Sequence, residues 1–313
     1  MLTKRRVIAA KIEATEGTGE TLAAADGGIL VIDPKVETDI KMSPRNPVMA
    51  TLSKLADTVG SQLAKITFKV ELKGAGVAYS ASILPALGKY LRGCGFSQTV
   101  DTTLGAEKVT YQPASSGVPS VTIGCYEDGV LKRIIGARGN VKFTGKVGEP
   151  VYADFDFLGV WDGVTDTSMI SPAYEGTIPP VLLSAAFNVG AYSAVISGFD
   201  IDIANALYLR ESVNTTSGYF SAIISDRKPN GSFDPEMVAV ATHDWYGRWK
   251  AGTIGALNIG VVGAAQYNKF KITAPKVLYT KVAEADRTGL AVASTNFQLA
   301  MDTGDDEVVL EFS

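Results

Sequence analysis

The sequence has a single histidine, His243, and two cysteines, Cys94 and Cys125, in 313 residues. One imidazole leaves a histidine-based acid–base mechanism only one candidate, and His243 stands beside Asp244, ahead of an aromatic helical stretch, where a cap or a surface role is expected. No serine sits in a Gly-x-Ser-x-Gly setting. Two thiols without metal-ligand spacing read as unpaired cysteines. No cluster of metal-binding residue types appears, and no cofactor is expected.

Other absences narrow the class further. No apolar run approaches the roughly 20 residues that span a bilayer, so no membrane partner is expected. The start, Met1 to Ala10, is basic and then briefly apolar, but Lys11 and Glu13 interrupt it and a secretory leader is not expected. There is no basic excess. Residues 1–170 carry 19 basic against 18 acidic side chains and residues 171–313 carry 10 against 15. A protein that grips phosphate backbones needs the opposite balance.

What the sequence does hold is glycine (32) and alternation. Gly139–Lys146 is followed by a turn and the alternating run 151–158; Pro275–Val282 is followed by a turn and the alternating run 289–301. Apolar side chains at every second position share one face of a strand. The pattern predicts one β-rich unit written twice, and a mainly β fold. The expected organisation is a first domain over 1–165, a linker over 166–190 broken by Pro172, Gly176, Pro179 and Pro180, and a second domain over 191–313.

Within the first domain, Ile29–Ile32 reads as a short strand stopped by Asp33-Pro34. Residues 37–62 read as a long polar connection, a length that inside a compact domain is functional or ordered by a partner. Residues 65–72 form a strand with Ile66, Phe68, Val70 and Leu72 inward. Residues 80–92 read as a helix capped by Ser82, and Glu127-Asp128-Gly129 as a hairpin turn. In the second domain 197–204 parallels 65–72. Strands are expected at 206–211, 219–226, 230–240, 254–262, 267–273, 275–283, 289–300 and 307–312. A short helix carrying Trp245, Tyr246 and Trp249 is expected between a Thr242 or Asp244 cap and Gly252.

Several carboxylates invite a chemical reading. Asp154 and Asp156 alternate with Phe155 and Phe157 and share one side of a strand; Asp200 and Asp202 repeat the pattern. Half of a calcium or paired-carboxylate site is one interpretation, and the polar face of a half-buried strand is the simpler one. Asp302–Glu307 has the composition of a calcium loop but the wrong spacing, and reads as a turn. Gly136-Ala137-Arg138-Gly139 joins strands and opens no helix, so it is a poor phosphate cradle. Trp245, Tyr246, Arg248 and Trp249 are spaced for core packing.

Several stretches resemble the major tail tube proteins of long-tailed bacteriophages and prophages, in a duplicated-domain branch. They are Ala10–Thr18 (AKIEATEGT), Phe68–Gly74 (FKVELKG), Leu87–Phe96 (LGKYLRGCGF), Gly136–Val147 (GARGNVKFTGKV) and Phe157–Gly159. The second half adds Tyr208–Asn214 (YLRESVN), Ser225–Gly231 (SDRKPNG) and Thr273–Val277 (TAPKV). The resemblance covers nearly the whole chain, through the order and spacing of motifs that are individually weak. It implies two tandem β-sandwich or barrel tube domains, each flanked by a short α-helix. It also implies three chains forming a ring that imitates six-fold symmetry, and a structural role in the virion tail after assembly in the host bacterial cytoplasm. The partners implied are further copies of the chain, the tape measure, tail tip and terminator proteins, and DNA in transit without tight binding.

Set beside that resemblance, the polar connection is the expected ring-stacking loop, through Pro44, Arg45, Asn46, Pro47, Leu52, Lys54 and Leu55. Asp154, Asp156, Asp200 and Asp202 are expected to face the lumen or a neighbouring subunit. Two other functions stay open. One is a receptor- or carbohydrate-binding module using Trp161 or Trp249; the other, more remote, is a hydrolase using Asp154 and Asp156. A tube of a contractile or secretion system would share the same fold class.

Overall fold

A computed structural model describes residues 2–313. The first half runs through β1 (Arg6–Ile12), β2 (Ile32–Ser43), β3 (Thr58–Glu71), α1 (Gly88–Gly93), β4 (Phe96–Asp101), β5 (Lys108–Pro113), β6 (Val121–Glu127), β7 (Val130–Lys146) and β8 (Tyr152–Asp166). The second half runs through β9 (Phe187–Val189), β10 (Gly198–Asp202), β11 (Asn205–Glu211), β12 (Tyr219–Arg227), β13 (Asn230–Phe233), α2 (Trp245–Ala251), β14 (Gly255–Val262), β15 (Phe270–Arg287), β16 (Leu290–Ala300) and β17 (Val309–Phe312). The protein is mainly β, and every ladder is antiparallel.

The strand order repeats. In the first half it is β2-β3-β8-β7, with β6 and then β1 on the near part of β7; in the second it is β10-β13-β16-β15, with β14 and then β9 on the near part of β15. A helix lies between the third and fourth repeated strands of each half. Each half also has one hairpin with no counterpart in the other: β4–β5 in the first and β11–β12 in the second. The order places β10 opposite β2, and β13 opposite β3. The expected match of 197–204 to 65–72 is therefore displaced by one strand. Any half-buried strand of these sheets shows the same alternation, so alternation alone does not say which strand it marks.

The two sets of strands are joined. β10 pairs with the far part of β7, Gly198–Asp202 against Lys146–Lys142. β17 pairs with β5, Leu310–Phe312 against Tyr111–Val109. One buried cluster consequently contains side chains of both halves, from Phe68, Phe143 and Phe155 to Phe199, Phe233 and Phe297. Each fully buried phenylalanine contributes about 2–3 kcal/mol of transfer free energy.

Each helix anchors an aromatic group. Tyr90 of α1 packs on Phe68, Phe155 and Phe157 at centroid distances of 5.1–6.1 Å. Trp245 of α2 packs on Phe233 and Tyr279 at 6.1 and 5.8 Å. Edge-on and tilted contacts of this kind suit the ring quadrupoles. Asp244 caps α2, its carboxylate accepting from Gly247 N at 2.7 Å, and Gly252 closes the helix at φ 63°. The turn Asp128-Gly129 has φ 43° and 101°, both positive, as a type I′ hairpin turn requires.

Several elements differ from their sequence expectation. The expected helix over 80–92 is helical only from Gly88, because Ser80 Oγ accepts from Ser82 N (3.3 Å) and Ile83 N (3.1 Å) and fixes a local turn instead. The strand expected at 29–32 begins at Ile32 and runs on past Pro34, with a register shift across Asp33-Pro34. The 230–240 strand ends at Phe233, before Asp234-Pro235. The breaks expected at Gly136-Ala137 and Ala274-Pro275 are instead absorbed within the continuous strands β7 and β15.

Candidate assembly surface

The polar connection expected over 37–62 is largely β structure. β2 and β3 form a long hairpin, and only residues 44–57 lack strand. β3 pairs with β8 only from Leu63 onward. Residues 58–62 have β2 as their one ladder partner and carry the hairpin beyond β8, about 17 Å at roughly 3.3 Å per residue. At its tip Pro44, Arg45, Asn46, Pro47, Leu52 and Lys54 are exposed and Leu55 is half-buried. Val48 and Leu52 are fully exposed apolar side chains. The root of the hairpin rests on the β11–β12 turn, where Gln62 N donates to Ser217 O at 2.9 Å.

The four aspartates do come together. Asp154 and Asp156 of β8, and Asp200 and Asp202 of β10, flank β7 on the polar face of the sheet. Cations and amides from neighbouring strands meet them. Lys69 Nζ lies 3.3 Å from Asp154, Lys65 Nζ 3.9 Å from Asp156, and Lys142 Nζ 3.1 Å from Asp200. Asn140 Nδ2 donates to Asp202 at 2.8 Å, and Ser232 Oγ donates to Asp200. Burial raises the Asp156 carboxyl above the ordinary range, and nearby Glu37 adds to the effect against Lys65. This face is a row of half-exposed ion pairs, so sign alternates along it and no field of one sign builds up. The loop residues and the aspartates occupy separate places: the first project from the sheet, the second lie on its surface.

The remaining chemical candidates have structural roles. His243 is buried, stacked on Tyr192 at 4.6 Å and in tilted contact with Trp245 at 4.2 Å, with its Nε2 3.5 Å from Tyr279 Oη. Burial, with Arg248 nearby, lowers its pKa to about 4. The expected cap or surface role is thus replaced by packing. Asp306 accepts from Asp302 N, Thr303 N and Thr303 Oγ1 at 2.7–2.9 Å, which organises the 302–307 turn and lowers its pKa to about 2. Cys94 and Cys125 are buried and unpaired. Among the described residues, no group of three or more His, Cys, Asp or Glu side chains is placed to hold a metal ion. No helix there is long and apolar enough to cross a membrane.

Sequence reasoning missed two groups of polar contacts, one within the first half and one that fastens the second half's hairpin to it. Buried Glu13 accepts from Ser120 Oγ, Thr122 Oγ1, Gly136 N and Gly17 N at 2.6–2.8 Å. Arg138 donates to Glu16 (2.8 Å), to Val118 O and to Ala222 O of β12, and Glu16 also accepts from Ser221 Oγ of β12 at 2.7 Å. Glu13, Glu16 and Arg138 lie in the motifs AKIEATEGT and GARGNVKFTGKV. Their positions in those motifs were the only signal, because burial of a charge is not written in a single sequence.

Large antiparallel sheets, carboxylates held in lateral ion pairs and a projecting hairpin define a mainly β protein whose conspicuous features are surfaces. The family model described as phage tail tube protein matches residues 3–300, and the chain belongs to that family. It is a structural component of the virion tail, where proteins of this family build a tube with other tail proteins. No curated protein matches the chain.

Proposed function

We propose that three copies of this chain close into a ring, that the rings stack, and that the stack is the channel through which the genome leaves the virion. Each chain supplies two tube domains, 1–165 and 191–313, joined by 166–190, so three chains supply six. The observation that carries this reading is that the eight repeated strands β2-β3-β8-β7-β10-β13-β16-β15 begin and end on an open edge. β2 pairs with β3 alone, and β15 has no partner beyond Val277 on the side that β14 occupies. Unpaired backbone donors and acceptors along a strand are a template for another chain, and identical protomers satisfy them by closing on themselves.

The exposed loop 44–57 serves as the contact between successive rings. The polar face with Asp154, Asp156, Asp200 and Asp202 lines the passage. Its alternating charges give DNA no continuous cationic track to hold, so cargo slides rather than binds. The channel needs no catalytic group and no cofactor. Tape measure, tail tip and terminator proteins set its length and ends.

Negative-stain microscopy of the purified protein, alone and with a tail-tip initiator, tests the reading. Stacked rings are expected; monomers under every condition would refute it. Replacing residues 42–58 by a short Gly-Ser turn is expected to give single rings or short stacks with unchanged circular dichroism. Tubes of normal length from that variant would remove the stacking role from the loop.

A further inference from the structure

α1 carries a lysine, Lys89, that lines a cavity and has no carboxylate to hold its charge. We propose that Lys89 is a site of covalent acylation: its Nζ takes short apolar acyl groups from acyl phosphates or thioesters, and the acyl chain occupies the cavity. This chemistry concerns the single chain and does not rest on the ring reading.

The turn that Ser80 Oγ fixes keeps residues 82–87 out of the helix, which begins only at Gly88. This irregular stretch walls a cavity of about 540 Å³ together with Ile29 and with Glu175 of the segment that follows β8. Ile29 and Pro85 are buried, and Leu84 and Ala86 pack against the core, so one wall is apolar. A cavity of this volume, with an apolar wall and a few polar groups, suits a small organic group.

Lys89 is half-buried beside this space. Its Nζ donates to the backbone carbonyl of Asp26 and lies 5.5 Å from the centroid of the Tyr90 ring. Neither contact supplies a full negative charge. The Asp26 carboxylate is turned to its own chain, accepting from Ala23 N at 2.8 Å. The acid on the same cavity, Glu175, is itself pushed toward its neutral form. Its Oε1 is buried without a hydrogen-bond partner, and burial raises its carboxyl above the ordinary range, against a Thr177 hydrogen bond and the charge of Lys73. Burial lowers the pKa of Lys89 to about 8, against the pull of the Asp26 carboxylate. At pH 7.5 roughly a quarter of such an amine is neutral, compared with roughly one in a thousand for an exposed lysine of pKa about 10.4. Only the neutral amine has a lone pair with which to attack, and desolvation is a general way to supply it. In the reaction the Nζ lone pair attacks the carbonyl carbon of the donor and an N–C bond forms. The bond from that carbon to the phosphate oxygen or thiolate sulfur breaks, the leaving group departs with the electron pair, and one proton passes from Nζ to water. The product is an amide, and the lysine loses its charge.

Site-resolved labelling of the unaltered full chain tests this. The folded protein is exposed to limiting acetyl phosphate or butyryl phosphate at pH 7.5, and modification of each lysine is followed by peptide mass spectrometry. Lys4, Lys54 and Lys250 are exposed and serve as internal references. Lys89 is expected to be acylated at least about fivefold faster than these three, as its larger neutral fraction requires. Its advantage is expected to be greater with the butyryl donor, whose longer chain fills more of the cavity, and to vanish in denaturing urea. The rate at Lys89 is expected to level off above about pH 8, while the reference lysines keep gaining toward their own higher pKa. Labelling of Lys89 no faster than the references overturns the proposal. So does an advantage that survives in urea, because the fold would then not produce it, or one that is equal for both donors, because the cavity would then not receive the acyl chain.

Discussion

The two halves follow one strand order but differ in their corresponding connections. Between β2 and β3 the first half has a bare projecting loop; between β10 and β13 the second half has the folded hairpin β11–β12, laid against the first half. One connection is satisfied within its own chain, through Ser221, Ala222 and Asn205, and the other leaves Val48 and Leu52 in solvent. A repeat that folds its framework alike has let its loops diverge, one packed within the chain and the other left in solvent.

The contacts holding β12 to the first half offer the largest way to break this comparison. R138A removes a buried guanidinium, takes the donor from Val118 O and Ala222 O and leaves Glu16 with Ser221 Oγ and the more distant Arg210, a loss expected to cost about 3–4 kcal/mol. Urea denaturation measures it, and a loss below 1 kcal/mol would mean that β11–β12 is not fastened by this residue. Next come the glycines beneath a phenylalanine in each half. A Cβ at Gly139 would lie 2.7 Å from Phe157 and 2.9 Å from the carbonyl oxygen of Asp156, whereas one at Gly231 would lie 2.6 Å from Phe297 and press much closer on the backbone carbonyl of Asp200. A ring can rotate and a paired backbone cannot. G231A is therefore expected to cost about 2–3 kcal/mol and G139A about 1 kcal/mol less; equal effects would refute the distinction.

Acid separates the halves by a further amount. His243 is neutral when folded, with its pKa lowered to about 4, while the unfolded chain takes up a proton below about pH 6.5. Stability is therefore lost as pH falls from about 6.5 toward 4, on the order of 2–3 kcal/mol at about 1.4 kcal/mol per pH unit. H243F is expected to flatten that slope in melts recorded from pH 7 to pH 4. The smallest effect has the opposite sign. Tyr90 Oη and Trp245 Nε1, the helix aromatics of the two halves, are both buried without a hydrogen-bond partner. Y90F removes an unsatisfied hydroxyl with little change of shape and is expected to stabilise by about 0.5–1 kcal/mol. W245F also removes ring volume and is expected to destabilise. Calorimetry of the pair tests whether the two positions are alike in chemistry as well as in place.

Local signals were legible in the sequence wherever burial and pairing coincide. The inward row Ile66, Phe68, Val70 and Leu72, the turn at Asp128-Gly129 and the cap at Asp244 are all present. The β2–β3 hairpin was not legible, because both of its faces are largely exposed along residues 37–43 and 58–60 and no apolar alternation marks them. Periodicity reports burial, and a projecting ribbon has none. β7 and β15 read as broken strands because Gly136 and Pro275 are ordinarily stops. Gly136 instead takes φ 57° at a register shift, where the strand bends against Ser221, and Pro275 lies where β14, β16 and β17 meet along β15. The four aspartates were legible as a polar face, but their pairing with Lys69, Lys65, Lys142 and Asn140 depends on register across strands far apart in sequence.

β17 carries a last consequence. It lies between β15 and β5, more than 190 residues from the latter, and is made after both of them on the ribosome. A nascent chain therefore cannot complete its first-half sheet until translation has reached residues 309–312. Long-range pairing of this kind is slow to form, and it leaves the outer edge of β5 bare until residues 309–312 have emerged.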